Sequence, residues 1–142
     1  MVDGFVEKLR SIHWPKYKVV YAILFGSAMR CNKPRDIDVA VMFSSNPDLS
    51  DIVRLADEIS KTIGYPLEKI DIVPLNRDIP CELFLEIVKG IPLYVDDFNM
   101  YIDDLCRRIM LCYDMSIISR KLKVLETALK TIKARSRKSR VS

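Results

Sequence analysis

Residues 19–43 read VVYAILFGSAMRCNKPRDIDVAVMF. The seven apolar residues Val19–Phe25 stop at Gly26, the pattern of a short buried strand rather than a helix of useful length. Residues 36–43, DIDVAVMF, form a second strand-like run. About ten residues separate the two, which is short for the helix-bearing crossover that joins parallel neighbours. The glycine cluster and full helix of a dinucleotide-binding turn are also missing here, so a doubly wound fold drops out. The linker GSAM offers a helical start, with the Ser27 hydroxyl as a candidate cap.

Working outward, Phe5, Leu9 and Ile12 share one helical face, and HWPKYK interrupts that helix. Downstream, SSNPDLS supplies capping residues for a helix over Leu49–Ile63, closed by Gly64. LEKIDIVPL (67–75) is a third strand, Cys81–Lys89 a short helix ended by Gly90, and IPLYV (91–95) a fourth strand. Glycine and proline do not occur after Pro92, and from Asp97 to about 134 the chain reads as one long or once-broken helix. The order predicts an α/β (α+β) fold, with a small mixed sheet of about four strands covered by helices. The expected division is a core over 1–96, a helical segment over 97–134 that packs on the core or a partner, and a disordered basic tail over 135–142.

The chain has 142 residues, 49% of them hydrophobic and 30% charged, which suits one compact core rather than a disordered or low-complexity chain. Its net charge of +4 hides an asymmetry: residues 120–142 hold nine Lys/Arg against one Glu, a balance of +8. The remainder is mildly acidic, so a uniformly basic nucleic-acid-binding domain is a poor reading; RNA contact is expected only through the tail or a partner. No apolar run reaches the roughly 20 residues of a membrane span. The N-terminus MVDGFVEKLR does not read as a secretion signal, and the expected location is cytoplasmic. The four cysteines, at 31, 81, 106 and 112, form no CxxC pair and read as reduced thiols. With a single histidine, His13, they speak against a zinc centre.

Three carboxylates sit where the apolar pattern does not want them. Asp36 and Asp38 flank Ile37, so on a strand both project to one face while Ile37 turns to the core. Asp71 lies between Ile70 and Ile72. Adjacent carboxylates repel and are costly to desolvate unless a cation is supplied, and oxygen-only ligands select a hard ion, Mg²⁺ before Mn²⁺. The competing reading makes DID turn chemistry and Asp71 a solvent-facing strand residue beside Glu68 and Lys69. Gly26-Ser27 tips the balance, since glycine admits a ligand close to the backbone and a serine beside free N–H groups holds phosphate. Arg30, Lys33 and Arg35 lie in the connecting loop as candidates to meet phosphate oxygens, with a merely solvated loop as the competing reading for Lys33 and Arg35.

LFGSAMRCNKPRDIDVAV (24–41) followed by KIDIVPL (69–75) resembles the signature of the polymerase-beta nucleotidyltransferase superfamily. With the chain length, ELFLEIVKGIPLYVDD (82–97) resembles the minimal nucleotidyltransferases. These are the antitoxins of two-gene pairs whose partner is a helical HEPN-type ribonuclease toxin. The resemblance implies Gly26, Ser27 and Arg30 as nucleotide-binding residues, and Asp36, Asp38 and Asp71 as metal-binding and catalytic carboxylates. Asp71 would orient or deprotonate the acceptor hydroxyl. It further implies two Mg²⁺ ions (Mn²⁺ as substitute), ATP as substrate and transfer of AMP to a tyrosine hydroxyl of the toxin. The family's Arg-Ala-Arg-Gly-like run reads Ala28-Met29-Arg30-Cys31 here, which keeps only the second arginine. Surplus apolar residues in the C-terminal segment, among them Met110, Leu111 and Tyr113, read either as a seam with a partner or a second copy, or as a wider core face. Alternatives left open are a nucleotidyltransferase acting on RNA or a small molecule, and an antitoxin that masks its toxin by binding alone.

Overall fold

The computed structural model describes the backbone of residues 2–29 and 33–141, with side chains outside 2–3, 115–119 and 135–141. The chain divides into two compact units, 1–105 and 106–142. In the first, helix α1 (Val2–Arg10) and a 3-10 turn (Trp14–Tyr17) precede strand β1 (Val19–Phe25). A second 3-10 turn (Gly26–Met29) leads toward β2 (Ile37–Phe43). Helix α2 (Leu49–Ile63), strand β3 (Ile70–Pro74), helix α3 (Cys81–Val88) and strand β4 (Ile91–Val95) follow, and α4 (Phe98–Val141) begins in this unit. Each strand and helix expected from the sequence is present. The tail from 135 lies within the α4 backbone, which is continuous to Val141.

The sheet order is β3-β2-β1-β4. β1 pairs antiparallel with β2 and β4, whereas β2 and β3 run parallel. The short β1–β2 connection therefore joins a hairpin-like pair, and α2 serves as the crossover between the parallel strands. Strand alternation sorts residues onto two faces. On one, Ala22, Leu24, Ile37, Val39 and Val41 pack with Val6 and Leu9 of α1 and with Leu55 and Ile59 of α2. The indole of Trp14, fully buried, donates from Nε1 to the Leu9 carbonyl at 3.0 Å, so its one polar atom is satisfied in the core. The opposite face of β1 carries Tyr21, Ile23 and Phe25, all buried, as are Phe84 and Ile87 of α3. Tyr21 stacks edge-on against Tyr101 at 5.0 Å and donates its hydroxyl hydrogen to the buried Asp104.

Local capping agrees with this layout. The Asp51 N–H donates to Asp48 Oδ1 at 2.8 Å, and the Asp48 N–H donates to Asp51 Oδ2 at 3.1 Å, a reciprocal box at the start of α2. Ser27 does not cap. It lies in a four-residue 3-10 turn, and its hydroxyl donates to the Asp36 carbonyl at 3.4 Å. Cys81 is disulfide-bonded.

The second unit is the remainder of α4. Leu122, Leu125, Leu129 and Ile132 are exposed at three- and four-residue intervals along it. Cys106 is a free, exposed thiol, and Cys112 is disulfide-bonded. The bonded state of Cys81 and of Cys112 corrects the expectation of reduced thiols at those two positions, Cys106 keeps it, and Cys31 lies outside the described residues. Among the described residues no helix is long and apolar enough to cross a membrane.

Gly90 sits where α3 turns into β4. A methyl group there would lie 2.3 Å from the Leu24 carbonyl oxygen and 2.9 Å from that of Ile87. Backbone atoms cannot yield as a side-chain tip can. Gly90→Ala should therefore destabilise the protein by at least ~2 kcal/mol. Gly4→Ala, on α1 where the added methyl would meet nothing beyond the helix's own backbone within 4 Å, should stabilise it by ~0.5–1 kcal/mol. Urea denaturation of both variants checks the contrast.

Candidate active site

The parallel register of β2 and β3 sets Ile37 opposite Ile70 and Asp38 opposite Asp71. Ile37 and Ile70 are buried against the helices α1 and α2, so the two aspartates share the other face of the sheet. Asp38 is half-buried and Asp71 is exposed. Burial pushes the Asp38 carboxyl up from an ordinary 3.8 to about 6. The charges of Asp71 and Asp36 add to this, as does a hydrogen bond that protonated Asp38 gives to Asp71. Two carboxylates in contact, one of them partly desolvated, keep a proton that either alone would lose.

Gly26 closes the site from the β1 side. Its φ of +79° is a conformation that side-chain-bearing residues rarely adopt. A methyl group on it would also lie 2.5 Å from Asp38 Oδ2. Glycine at this position thus lets the carboxylate lie against the backbone of the turn. The sequence reading assigned Gly26 to close approach of a ligand; the atoms that first need the space belong to Asp38. Ser27, next in the turn, is exposed, with its hydroxyl tied to the Asp36 carbonyl. That bond ties the second turn residue to the segment that leads into β2.

The three carboxylates do not converge equally. Asp36 lies just before β2 and is exposed, and its charge reaches Asp38. Among the described residues, no three carboxylate, histidine or cysteine groups are arranged to hold an ion. The expected cluster is present as a contacting pair with a charged neighbour, because Asp36 precedes the ladder that fixes the other two. This donor set still fits a hard cation: Mg²⁺ is commonly held by one or two carboxylates, with water and substrate phosphates completing its shell. Arg30 lies outside the described residues. Lys33 and Arg35 are exposed and, with Lys69, line a neighbouring cleft.

Asp38 fixes a sign for pH dependence. Its folded pKa exceeds the unfolded one, so its contribution to stability is complete below about pH 4 and is lost as pH rises toward about 6. In EDTA, Asp38→Asn should raise Tm by roughly 3 °C at pH 8 and leave it nearly unchanged at pH 4. Thermal unfolding across that range measures the difference; an equal shift at both pH values would remove the electrostatic account.

A family model described as Polymerase beta, Nucleotidyltransferase matches residues 7–99. No curated protein matches the chain. Among solved structures, a chain from the complex of the tri-AMPylated Shewanella oneidensis HEPN toxin with its MNT antitoxin is similar, at 19% identity and a TM-score of 0.58. That match covers 89% of this chain and 98% of the other. A chain of the MntA–HepT toxin–antitoxin structure matches at 19% identity and a TM-score of 0.55, covering 89% and 95% of the two chains. A toxin–antitoxin structure with AMP-PNP matches at 19% identity and a TM-score of 0.54, covering 90% and 98%. At these identities the structural likeness establishes the fold. The family match spans most of the chain and includes Gly26, Ser27 and all three aspartates: the chain belongs to the polymerase beta nucleotidyltransferase family.

Proposed function

We propose that this protein transfers AMP from ATP to a tyrosine hydroxyl of a HEPN-type ribonuclease toxin, and thereby acts as that toxin's antitoxin. The observation that carries the reading is the Asp38–Asp71 pair lying against Gly26 in a member of a nucleotidyltransferase family. Two similar structures support the choice of donor and acceptor: in one the HEPN toxin bound to its MNT antitoxin is tri-AMPylated, and another contains AMP-PNP. Dependence on ATP is consistent with a cytoplasmic location.

Asp36, Asp38 and Asp71 would hold two Mg²⁺ ions, or Mn²⁺, whose chemistry is to neutralise charge developing on the transferred phosphate. The chain's own residues do the rest. Asp71, exposed at the edge of the pair, orients the acceptor hydroxyl and takes up its proton. Ser27 and the backbone N–H groups of the Gly26–Met29 turn bind the β- and γ-phosphates, with Arg30 as a further phosphate ligand. Asp38, held against Gly26, fixes the position of the carboxylate pair beside that turn. Residues 1–96 perform the chemistry. Residues 97–134 contact the toxin through the exposed leucines of α4, or a second copy of the chain, and the basic segment 135–142 is available to RNA.

Intact mass spectrometry of the partner, after incubation with Mg²⁺ and ATP, should show the mass of added adenylyl groups. Asp36→Asn/Asp38→Asn should lower the transfer rate by about 10²-fold or more, and Ser27→Ala by less, because backbone donors remain. The double variant should also fail to suppress RNA cleavage at matched concentration. Full protection by it would mean masking by contact. Addition to RNA but to no partner protein would favour the nucleic-acid acceptor.

A further inference from the structure

Beyond residue 105 the chain is the remainder of α4, and this helix carries an apolar stripe. Leu111, Leu122, Leu125, Leu129 and Ile132 are 54–62% exposed. From Leu122 onward the spacing alternates three and four residues, and Leu111 precedes Leu122 by one heptad plus four. The sequence sets Met115 and Ile118 at the two intervening positions. Apolar residues thus fill every inward position of about three heptads, the narrow seam of a coiled coil rather than the broader face that packs on a globular core. The neighbouring line through Tyr113 and Val124 is broken by Arg120 and Thr127. There the Thr127 hydroxyl donates to the Lys123 carbonyl of its own helix at 3.0 Å. One side of the helix is built to be covered and the other to stay wet.

Charge narrows the occupant. Residues 97–119 hold four Asp against two Arg, and residues 120–142 hold nine Lys/Arg against one Glu. The helix is therefore acidic toward its start and strongly basic toward its end. A parallel copy would set two basic ends side by side, whereas an antiparallel copy lays each basic end over the other's acidic half. The seam residues agree with the second arrangement. Leu122 and Leu129 hold the a positions of the repeat, where a parallel dimer favours β-branched Ile or Val. We propose that α4 pairs with α4 of a second copy of this chain in an antiparallel coiled coil centred between Leu122 and Leu125. That register sets Leu122 against position 125 of the second copy and position 106 against 141, so the overlap spans the helical extent of the second unit. Asp114 then lies across from the basic stretch 133–135 of the second copy. The interface is isologous, each copy giving the same stripe, and the pairing closes at two chains. The inference stands apart from the adenylyltransferase reading, and it selects a second copy rather than the toxin as the occupant of the leucine stripe.

Sedimentation of the full chain alone, at about 100 µM, should give twice the 16.4 kDa mass of one copy. Leu122→Asp/Leu129→Asp should weaken association by about 10-fold or more while the emission of the buried Trp14 stays unchanged. Thr127→Asp/Thr131→Asp adds the same charge off the seam and should associate within about 2-fold of the wild type. Orientation is read by cross-linking under mild oxidation. A mixture of Leu122→Cys and Leu125→Cys chains should give linked pairs beyond the wild-type level, and Ile132→Cys alone should give none beyond it. The same mixture tests the pairing in folded chains should the charged seam variant lose its Trp14 emission. A monomer at that concentration would overturn the proposal, pass the stripe to the toxin and leave the transferase reading intact. Equal loss of association in both charged variants, or none in either, would overturn the seam. Ile132→Cys chains linked to one another would overturn the antiparallel register, since only a parallel pair brings that position against itself.

Discussion

The register between β2 and β3 is the constraint on which the rest depends. A parallel ladder that pairs Ile37 with Ile70 must also pair Asp38 with Asp71. The two isoleucines are anchored in the core beneath α1 and α2, so burial of apolar surface drives two like charges into contact. A slip of one residue would relieve the repulsion and expose the isoleucines. The hydrophobic effect thus builds the acidic pair, and the elevated Asp38 pKa is the residue of that conflict. Gly26 is the other half of the arrangement, since any side chain there would push Asp38 off its position.

Most of the fold was legible because each element carries a local signature. The Val19–Phe25 run, the capping stretch SSNPDLS, and the helical spacing of Leu55, Ile59 and Ile63 are all readable within a few residues. The link between the first two strands read as short for a parallel crossover, and the pair is antiparallel. The carboxylates were legible for the opposite reason: Asp71 between two isoleucines breaks its own pattern. What spacing could not convey was distance. Asp36 and Asp38 share a strand face in principle, yet β2 begins at Ile37, and Asp36 stays outside the ladder that fixes Asp38 to Asp71. The hydroxyl of Ser27 likewise went to the Asp36 carbonyl rather than to a helix N-terminus, because the turn that begins at Gly26 is only four residues long.

The cleft beside the strands was the least legible feature. Phe5, Arg35, Tyr65 and Lys69 come from three separate stretches, and none carries a motif. Lys69 reads in sequence as one more charged residue beside Glu68 in a strand-like run. The 3-10 turn Leu67–Lys69 ends that reading, since it takes Lys69 out of the strand. Loop-borne residues of this kind acquire meaning only from the scaffold that gathers them.

The sheet has two ends as well as two faces, and β3 is one of its borders. A border strand offers unpaired backbone groups to any extended chain that drifts past, an invitation to aggregate. Here the border is five residues long, holds a charged aspartate near its start and finishes in Pro74, which has no N–H to give. The opposite border, β4, contains Pro92. Asp71 therefore guards this edge of the sheet by its charge, and neutralising it would open that border to unwanted strands.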